Sequence, residues 1–233
     1  MFSSLFLFKD NLNIFIRSSE FLVIFNGIEY LGLGFIFVFL VLLWVWIINM
    51  FNFMDGMDGI TSVQISFLSI LTNCLAILGL TEENFIYFSL ILLTISFAFY
   101  SINKPPSKIF LGDVGSIPLG FLAGFILIYN MIMHNLIFPF LIVMLYYLLD
   151  SVTTIILRFL KKENIFQAHS NHFYQKMIRK GFNHDYVLKK IIYLNLILLV
   201  LAILSIYYPI ISFVLAFCCT SSLLIFFNSR KFR

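Results

Sequence analysis

The chain has 233 residues, of which 61% are hydrophobic and 11% are charged, whereas a soluble domain carries about 25% charged residues. Its mean hydropathy is +1.02, and Phe alone occurs 30 times. A soluble globule of this size could not bury so much apolar surface, and a disordered chain would not contain it. The composition therefore indicates an integral membrane protein.

The N-terminal residues 1–8 are apolar, and Lys9 and Asp10 follow them. This segment lacks the basic start and the small-residue cleavage site of a signal peptide. As a helix it would extend about 12 Å, whereas the hydrocarbon core of a bilayer is about 30 Å thick. We therefore interpret it as the stub of a membrane span.

Seven later apolar stretches are long enough to cross a bilayer as helices, which requires about 17–25 residues. They are residues 32–48, 60–80, 85–101, 115–133, 136–157, 191–207 and 209–227. Unbroken apolar runs lack the alternation of barrel strands, and lipid excludes open sheets. We therefore predict one domain, residues 1–233, that forms an all-α polytopic transmembrane helical bundle of about seven spans plus the N-terminal stub.

The basic residues indicate how the bundle is oriented. If residues 49–59 face the cytoplasm, alternation also places residues 102–114, 158–190 and 228–233 there. All Lys and Arg residues except Lys9 and Arg17 then lie on the cytoplasmic side, as the positive-inside rule requires. This asymmetry accounts for the net charge of +4 without a nucleic-acid partner.

The first polar segment, NMFNFMDGMDG, occupies residues 49–59. Asp55 and Asp58 are three residues apart and would share a face of a helical turn, with Asn52 three residues further upstream. The glycine after each aspartate lets the backbone bend or approach a ligand closely. The alternative is that Asp58 caps the helix that follows.

The second polar segment, NKPPSKIFLGDVGS, occupies residues 103–116. Its two prolines disfavour a helix, so we predict a stiff, extended loop before a helix that opens at Gly112 and Asp113. Asp113 either caps that helix or provides a hard oxygen ligand for Mg²⁺. The helix N-terminus and nearby Lys108 would favour a bound phosphate.

The third polar segment, residues 158–190, contains AHSNHFYQKMIRKGFNH. His169 and His172 are three residues apart, and a zinc site would need a third close ligand. The lysines of this segment also fit a basic helix on anionic lipid, and we expect His184 to be solvated. Asp150 lies inside a span, where an ionisable group faces a cavity or pairs with a neighbouring helix.

Together these groups suit phosphoryl transfer between a water-soluble and a lipid substrate. Carboxylates can hold Mg²⁺ against a diphosphate, and basic and imidazole groups can stabilise charge on the transferring oxygens. A transporter or channel subunit could also use Asp and His residues, as an ion path. The position of nearly all these groups in loops on one face argues against that alternative.

The three segments, in this order, resemble the motifs of the polyprenyl-phosphate N-acetylhexosamine-1-phosphate transferases. This family, glycosyltransferase family 4, includes relatives of phospho-N-acetylmuramoyl-pentapeptide transferase. The resemblance is clearest over residues 28–190, and the form HSNHFYQ is similar to the bacterial enzymes that initiate surface polysaccharides of the O-antigen type. It implies transfer of a sugar 1-phosphate from a UDP-N-acetylaminosugar to undecaprenyl phosphate, with release of UMP. The implied location is the cytoplasmic face of the bacterial inner membrane, and the implied cofactor is Mg²⁺, with Mn²⁺ as a substitute.

The resemblance also implies roles for individual residues. Catalytic roles are expected for Asp55, Asp58 and Asp113, of which Asp113 and Asp58 are the expected metal ligands. Substrate contacts are expected from a further set: Asn52, Asn103, Lys108, Asp150, His169 and His172.

The sequence departs from the family pattern at one point. The family carries an adjacent Asp-Asp pair on an earlier cytoplasmic loop, assigned to the lipid phosphate, and this sequence contains no such pair. The family spacing would place the pair upstream of Met1, so we expect a C-terminal portion of the family fold whose first spans are absent. An inactive fragment or subunit is therefore the alternative to an active transferase. The expected protein partner of this chain is a separate chain that carries the N-terminal spans, or a second copy of the same chain.

Overall fold

The computed structural model describes residues 29–164, 167 and 170–229. Within these residues the chain forms nine helices and no strand, which confirms the all-α prediction. The helices are α1 (Glu29–Met54), α2 (Ile60–Ile77), α3 (Asn84–Asn103), α4 (Gly112–Met133), α5 (Ile137–Val143), α6 (Leu145–Leu160), α7 (Phe173–Arg179), α8 (His184–Leu204) and α9 (Pro209–Ser229).

The long helices account for the predicted membrane spans. Six of them, namely α1 to α4, α8 and α9, are long and apolar enough to cross a membrane. Helices α5 and α6 satisfy the same criterion as a pair but are bent by 69° at their junction. The described chain is thus a multi-pass helical bundle, in which the segment predicted as a span at residues 136–157 is bent at its middle.

Buried amide side chains hold the bend between α5 and α6. Gln64 of α2 donates from Nε2 to the carbonyl of Val143 at 3.0 Å, next to the junction residue Met144. Asn195 of α8 lies 3.5 Å from Gln64 Oε1 through its Nδ2, and both amides are fully buried. A break in a membrane helix is tolerated where other groups satisfy the freed backbone, and Gln64 does this here.

Helix α2 forms the centre of the bundle, since 78% of its membrane window is buried, against 17% for α1 and 22% for α3. Its interior position explains its many polar residues, because a helix surrounded by protein can satisfy them. Helix α1 packs beside α4, where Trp44 stacks on Phe121 at 4.9 Å between ring centroids and donates to its carbonyl at 3.0 Å. This pairing brings the C-terminus of α1 to the N-terminus of α4.

Helix α8 begins about two turns earlier than the apolar run predicts. The run starts at residue 191, but the helix starts at His184. Val187 and Leu188 of this extension are buried against the bundle, and Asp185 pairs with Lys189 at 2.7 Å one turn later. The first turn of α8 therefore reaches the loops at this end of the bundle.

Candidate active site

The first two polar segments meet in a cleft of about 250 Å³ at the end of the bundle that carries the loops predicted to be cytoplasmic. The cleft is lined by Asp55, Gly56, Met57, Asp58, Asn103, Phe110, Leu111, Gly112 and His184. Three polar residues of the predicted site, Asp55, Asp58 and Asn103, thus share one cavity with a histidine that we expected to be solvated.

The turn between α1 and α2 requires its glycines. Helix α1 ends at Met54, so Asp55 and Asp58 lie on a non-helical turn and the predicted helical face is wrong. Gly59 has a φ of 76°, and a Cβ there would lie 2.9 Å from the ring of Tyr100. A Cβ on Gly56 would lie 2.5 Å from the hydroxyl of Tyr174. The repeated DG pattern therefore reflects a tight turn in close contact with its neighbours.

Asp113 lies in the first turn of α4 and is exposed. Asn52, in the last turn of α1, donates from Nδ2 to Asp113 Oδ1 at 2.7 Å and to Ser116 Oγ at 3.1 Å. The N-cap position of α4 is Leu111, without a side-chain cap, so the capping alternative for Asp113 is wrong. The packing of α1 on α4 thus orients this carboxylate towards solvent.

Asp55 lines the cleft and lies close enough to Asp113 to feel its charge. It accepts a hydrogen bond from Thr61 Oγ1 at 2.7 Å and one from the backbone of Gly112. Burial raises the pKa of Asp55 from 3.8 to about 6, and the charge of Asp113 adds to this shift. In the described part of the chain neither carboxylate forms an ion pair. Two adjacent carboxylates without a cation are a site where a divalent metal would be favourable.

The described residues contain no group of three or more His, Cys, Asp or Glu side chains that could hold a metal. Mg²⁺ usually takes one or two carboxylates in a protein and completes its shell with water and substrate phosphates. The donor set around Asp113 therefore fits a substrate-bound Mg²⁺ better than a closed structural metal site.

Asp58 is buried against a different set of partners. It accepts from the backbone N–H of Ser107 at 3.2 Å and from Ser107 Oγ at 2.9 Å. Its Oδ2 also lies 3.1 Å from Nδ1 of His184. The N-cap of α2 is Gly59, without a side-chain cap, so the proposal that Asp58 caps this helix is wrong. Asp58 instead joins the turn between α1 and α2 to α8 and to the loop between α3 and α4, here called the proline loop.

Asn103 and Lys108 differ in their surroundings. Asn103 is buried, accepts from the backbone N–H of Gly59 at 2.9 Å and donates to the carbonyl of Ile109 at 2.8 Å. It therefore connects the proline loop to the turn between α1 and α2, here called the DG turn, and it also lines the cleft. The side chain of Lys108 is exposed, between the Ser107 that contacts Asp58 and the Phe110 that lines the cleft.

Asp150 of α6 and His172 of the third polar segment form a buried pair. Asp150 is fully buried and lies 3.0 Å from His172 Nδ1 through Oδ1. The backbone N–H of Phe173 donates to both carboxylate oxygens at 3.2 Å. Thr154 and Tyr146 add longer contacts of 3.3 and 3.5 Å. The partner of Asp150 is thus the part of the third polar segment around His172, here called the histidine segment. His169 lies outside the described residues.

Tyr174 joins the histidine segment to the DG turn and was missed in the sequence. Its hydroxyl accepts from the backbone N–H of Gly56 at 3.1 Å and lies 3.4 Å from the carbonyl of Phe53. The residue is fully buried, and burial raises the pKa of its hydroxyl above the usual value. The neutral hydroxyl can therefore accept and donate at once. Its adjacency to the histidine motif was the available signal.

Arg158 orders the chain that leads into the histidine segment, and it was also missed. It is 5% exposed, and its Nε lies 3.1 Å from Glu163 Oε2. Its two terminal nitrogens donate to the carbonyls of Gln167 and Asn164 at 3.1 and 2.5 Å. A guanidinium can satisfy several acceptors at once because it carries donors in a fixed planar fork.

Comparison with known proteins agrees with the motifs. A model of glycosyl transferase family 4 matches residues 2–131. The chain is 28% identical over 146 residues to a probable undecaprenyl-phosphate N-acetylglucosaminyl 1-phosphate transferase of Bacillus subtilis (strain 168), covering 59% of this chain and 39% of that protein. It is 33% identical over 88 residues to the phospho-N-acetylmuramoyl-pentapeptide-transferase of Lactococcus lactis subsp. cremoris (strain MG1363), covering 37% of this chain and 25% of that protein.

The chain thus matches less than half the length of these curated relatives. The match to the family model includes Asn52, Asp55, Asp58 and Asp113, and it extends over more than half of the present sequence. The protein therefore belongs to glycosyl transferase family 4.

Proposed function

We propose that this protein transfers an N-acetylaminosugar 1-phosphate from a UDP-sugar to undecaprenyl phosphate. The reaction would take place at the cytoplasmic face of a bacterial inner membrane and initiate a cell-surface polysaccharide, such as an O-antigen. The observation that carries the proposal is the open cleft that Asp55 and Asp58 line at one end of a membrane bundle, where the charge of Asp113 acts on Asp55. Such a site can receive one substrate from water and one from lipid.

The proposed reaction exchanges one phosphoanhydride for another. An oxygen of the lipid phosphate attacks the phosphorus that carries the sugar, and a new P–O bond forms. The bond from that phosphorus to the bridging oxygen breaks, and UMP leaves with the bonding electron pair. Charge grows on the transferring and leaving oxygens, so catalysis depends mainly on positioning and on electrostatic stabilisation.

The carboxylates of Asp113 and Asp58 are the metal ligands that we assign, and the charge of Asp113 also acts on the carboxylate of Asp55. When bound, Mg²⁺ would neutralise part of the diphosphate charge. Asn52 holds Asp113 in a fixed orientation, and Ser107 does the same for Asp58. This orientation is fixed before substrate arrives, so little reorganisation is needed during transfer.

Cationic and histidine groups would also contribute to substrate binding. Lys108 is exposed next to cleft-lining residues and can approach a phosphate as a mobile point charge. His172 is held from below by Asp150, which fixes the orientation of its ring. We assign both residues to binding the sugar diphosphate, together with His169 and Asn103.

Binding of UDP-N-acetylglucosamine by the purified 233-residue chain tests the first part of the proposal. Calorimetric titration in detergent should detect binding that requires Mg²⁺ and disappears with a chelator. Equal affinity with and without metal would contradict the metal assignment. UDP-glucose is the matched control ligand, because it lacks the N-acetyl group that the proposed substrates share.

Turnover tests the second part. Release of UMP and formation of a lipid-linked sugar from radiolabelled UDP-sugar and undecaprenyl phosphate would support an active transferase. Binding without turnover would favour the alternative in which this chain is an inactive fragment or a subunit. In that case, co-expression with a chain that carries the family's Asp-Asp loop should restore turnover.

A further inference from the structure

His184 occupies the first residue of α8 and contributes to the cleft, although we expected it to be solvated. Its Nδ1 lies 3.1 Å from Asp58 Oδ2. The side chain of Asp58 is 9% exposed and that of His184 is 37% exposed, so the imidazole covers the carboxylate from the solvent side. Both residues line the same cavity.

The contact between His184 and Asp58 joins two elements that are distant in sequence. Ser107 already gives Asp58 two hydrogen bonds, one to each oxygen. The imidazole of His184 also contacts Oδ2 of Asp58. Among the described residues, it is the one titratable nitrogen within salt-bridge distance of this carboxylate. The polar groups around a buried carboxylate limit how it can turn, so the nearby ring of His184 restricts the orientation of Asp58.

Holding the helix in place does not require the imidazole. The first turns of α8 are anchored by Val187 and Leu188, which are 0% and 1% exposed. A ring needed for packing would be buried like these two side chains, whereas more than a third of the His184 side chain remains accessible in the cavity. The position of the ring is thus better explained by the cleft than by the core.

We propose that His184 is a positioning residue for the nucleotide sugar. It holds the carboxylate of Asp58 in the orientation that meets the ligand, and its exposed ring edge forms part of the wall of the cleft. The inference rests on the proposed function, because it concerns the same cleft. It adds a residue from α8 to a site otherwise built from the loops after α1 and α3.

Two substitutions separate the polar contact with Asp58 from the ring. His184→Ala removes both, whereas His184→Asn retains a nitrogen, Nδ2, at the same branch position as Nδ1. For His184→Ala we expect the dissociation constant of the UDP-sugar to rise about tenfold, the effect of losing one polar contact to a charged group. His184→Asn should remain within about threefold of the wild type. His134→Ala, in the turn after α4 at the opposite end of that helix, is the matched control and should bind normally.

The kinetic constants distinguish positioning from a general loss of folded protein. In His184→Ala the KM for the UDP-sugar should rise, while the KM for undecaprenyl phosphate stays the same. Partial misfolding would instead lower kcat and leave both KM values unchanged, and that result would overturn the proposal. Absence of UDP-sugar binding by the wild type would overturn the proposed function, whereas equal binding by wild type and His184→Ala would overturn the role of His184 alone.

A measurement without substrate tests the contact itself. Melting temperatures of the wild type, Asp58→Asn, His184→Ala and the double variant form a thermodynamic cycle. We expect the effects to be non-additive, because either single change removes the same interaction. Additive effects would show that the two side chains do not interact and would overturn the proposal.

Discussion

Two aspartates at the same end of the bundle are held in opposite ways. Asp150 is fully buried, and its oxygens accept from His172 and from the backbone of Phe173. Asp113 is exposed, and its hydrogen-bond donor among the described side chains is the amide of Asn52. The first carboxylate is saturated by the protein, whereas the second retains lone pairs for a ligand.

This difference shows which acidic groups maintain the fold and which can perform chemistry. A buried carboxylate is tolerated when donors satisfy it, and removing those donors or the carboxylate leaves groups unpaired. Asp55 represents the opposite condition, because burial and the nearby charge of Asp113 raise its pKa to about 6. Unfavourable charge held in an open cleft is typical of a functional site.

The largest expected effect on stability follows from Asp150→Ala. The change leaves Nδ1 of His172 and the backbone N–H of Phe173 without their acceptor. Loss of one partner of a buried charged network costs about 3–5 kcal/mol, so the melting temperature should fall strongly. Asp185→Ala, at an exposed acidic position, is the control and should change stability little. An unchanged melting temperature in Asp150→Ala would remove the distinction between the two aspartates.

Asp113→Asn should have the converse effect. The variant keeps the size of the side chain, and at an exposed position it should melt like the wild type. Removal of one group that stabilises transition-state charge costs about 10²–10³-fold in rate, so UDP-sugar transfer should fall by this factor. Where the chain binds without turnover, Mg²⁺-dependent affinity provides the same comparison. A variant that loses stability but keeps Mg²⁺-dependent binding would reverse the roles of Asp113 and Asp150.

The sequence predicted which polar segments lie near one another better than the contacts that they make. The three polar segments were identified because charged residues are rare in this chain, and a rare polar residue in a membrane protein needs a reason. Their convergence also follows from alternation of the spans. The separation of Asp150 from Asp113 could not be predicted, because it depends on burial, which residue spacing does not reveal.

Contacts between distant elements explain the errors. Asp58 was open to a capping role because the local sequence shows a helix start, but its partners Ser107 and His184 come from other loops. The bend between α5 and α6 interrupts an unbroken apolar run, and it depends on Gln64, which lies in α2. Local patterns predict local structure, whereas these features depend on partners distant in sequence.

Asp55→Asn tests the raised pKa of Asp55 through the dependence of stability on pH. The folded-state pKa of Asp55, about 6, is above its ordinary value of 3.8, so the folded protein binds more protons between these values. Wild-type stability therefore decreases as the pH rises from about 4 to about 6. In metal-free buffer the Asn variant should lack this decrease and be the more stable protein at pH 7, by about 1–2 kcal/mol. Parallel pH profiles of the two melting temperatures would contradict the raised pKa.

Tyr174→Phe has the smallest expected effect and tests whether the two regions are coupled. The substitution removes the hydroxyl that links the histidine segment to the backbone of Gly56 and Phe53, and it retains the buried ring. Loss of such a hydrogen bond costs about 1 kcal/mol, so the melting temperature should fall slightly, while Tyr207→Phe at an exposed position should have no effect. If the segment of Asp150 and His172 supports the cleft, nucleotide affinity in Tyr174→Phe should fall together with stability, because the DG turn loses its contact with the Tyr174 hydroxyl. A fall in stability with unchanged affinity would mean that Asp150 and His172 stabilise the bundle independently of the cleft that contains Asp55.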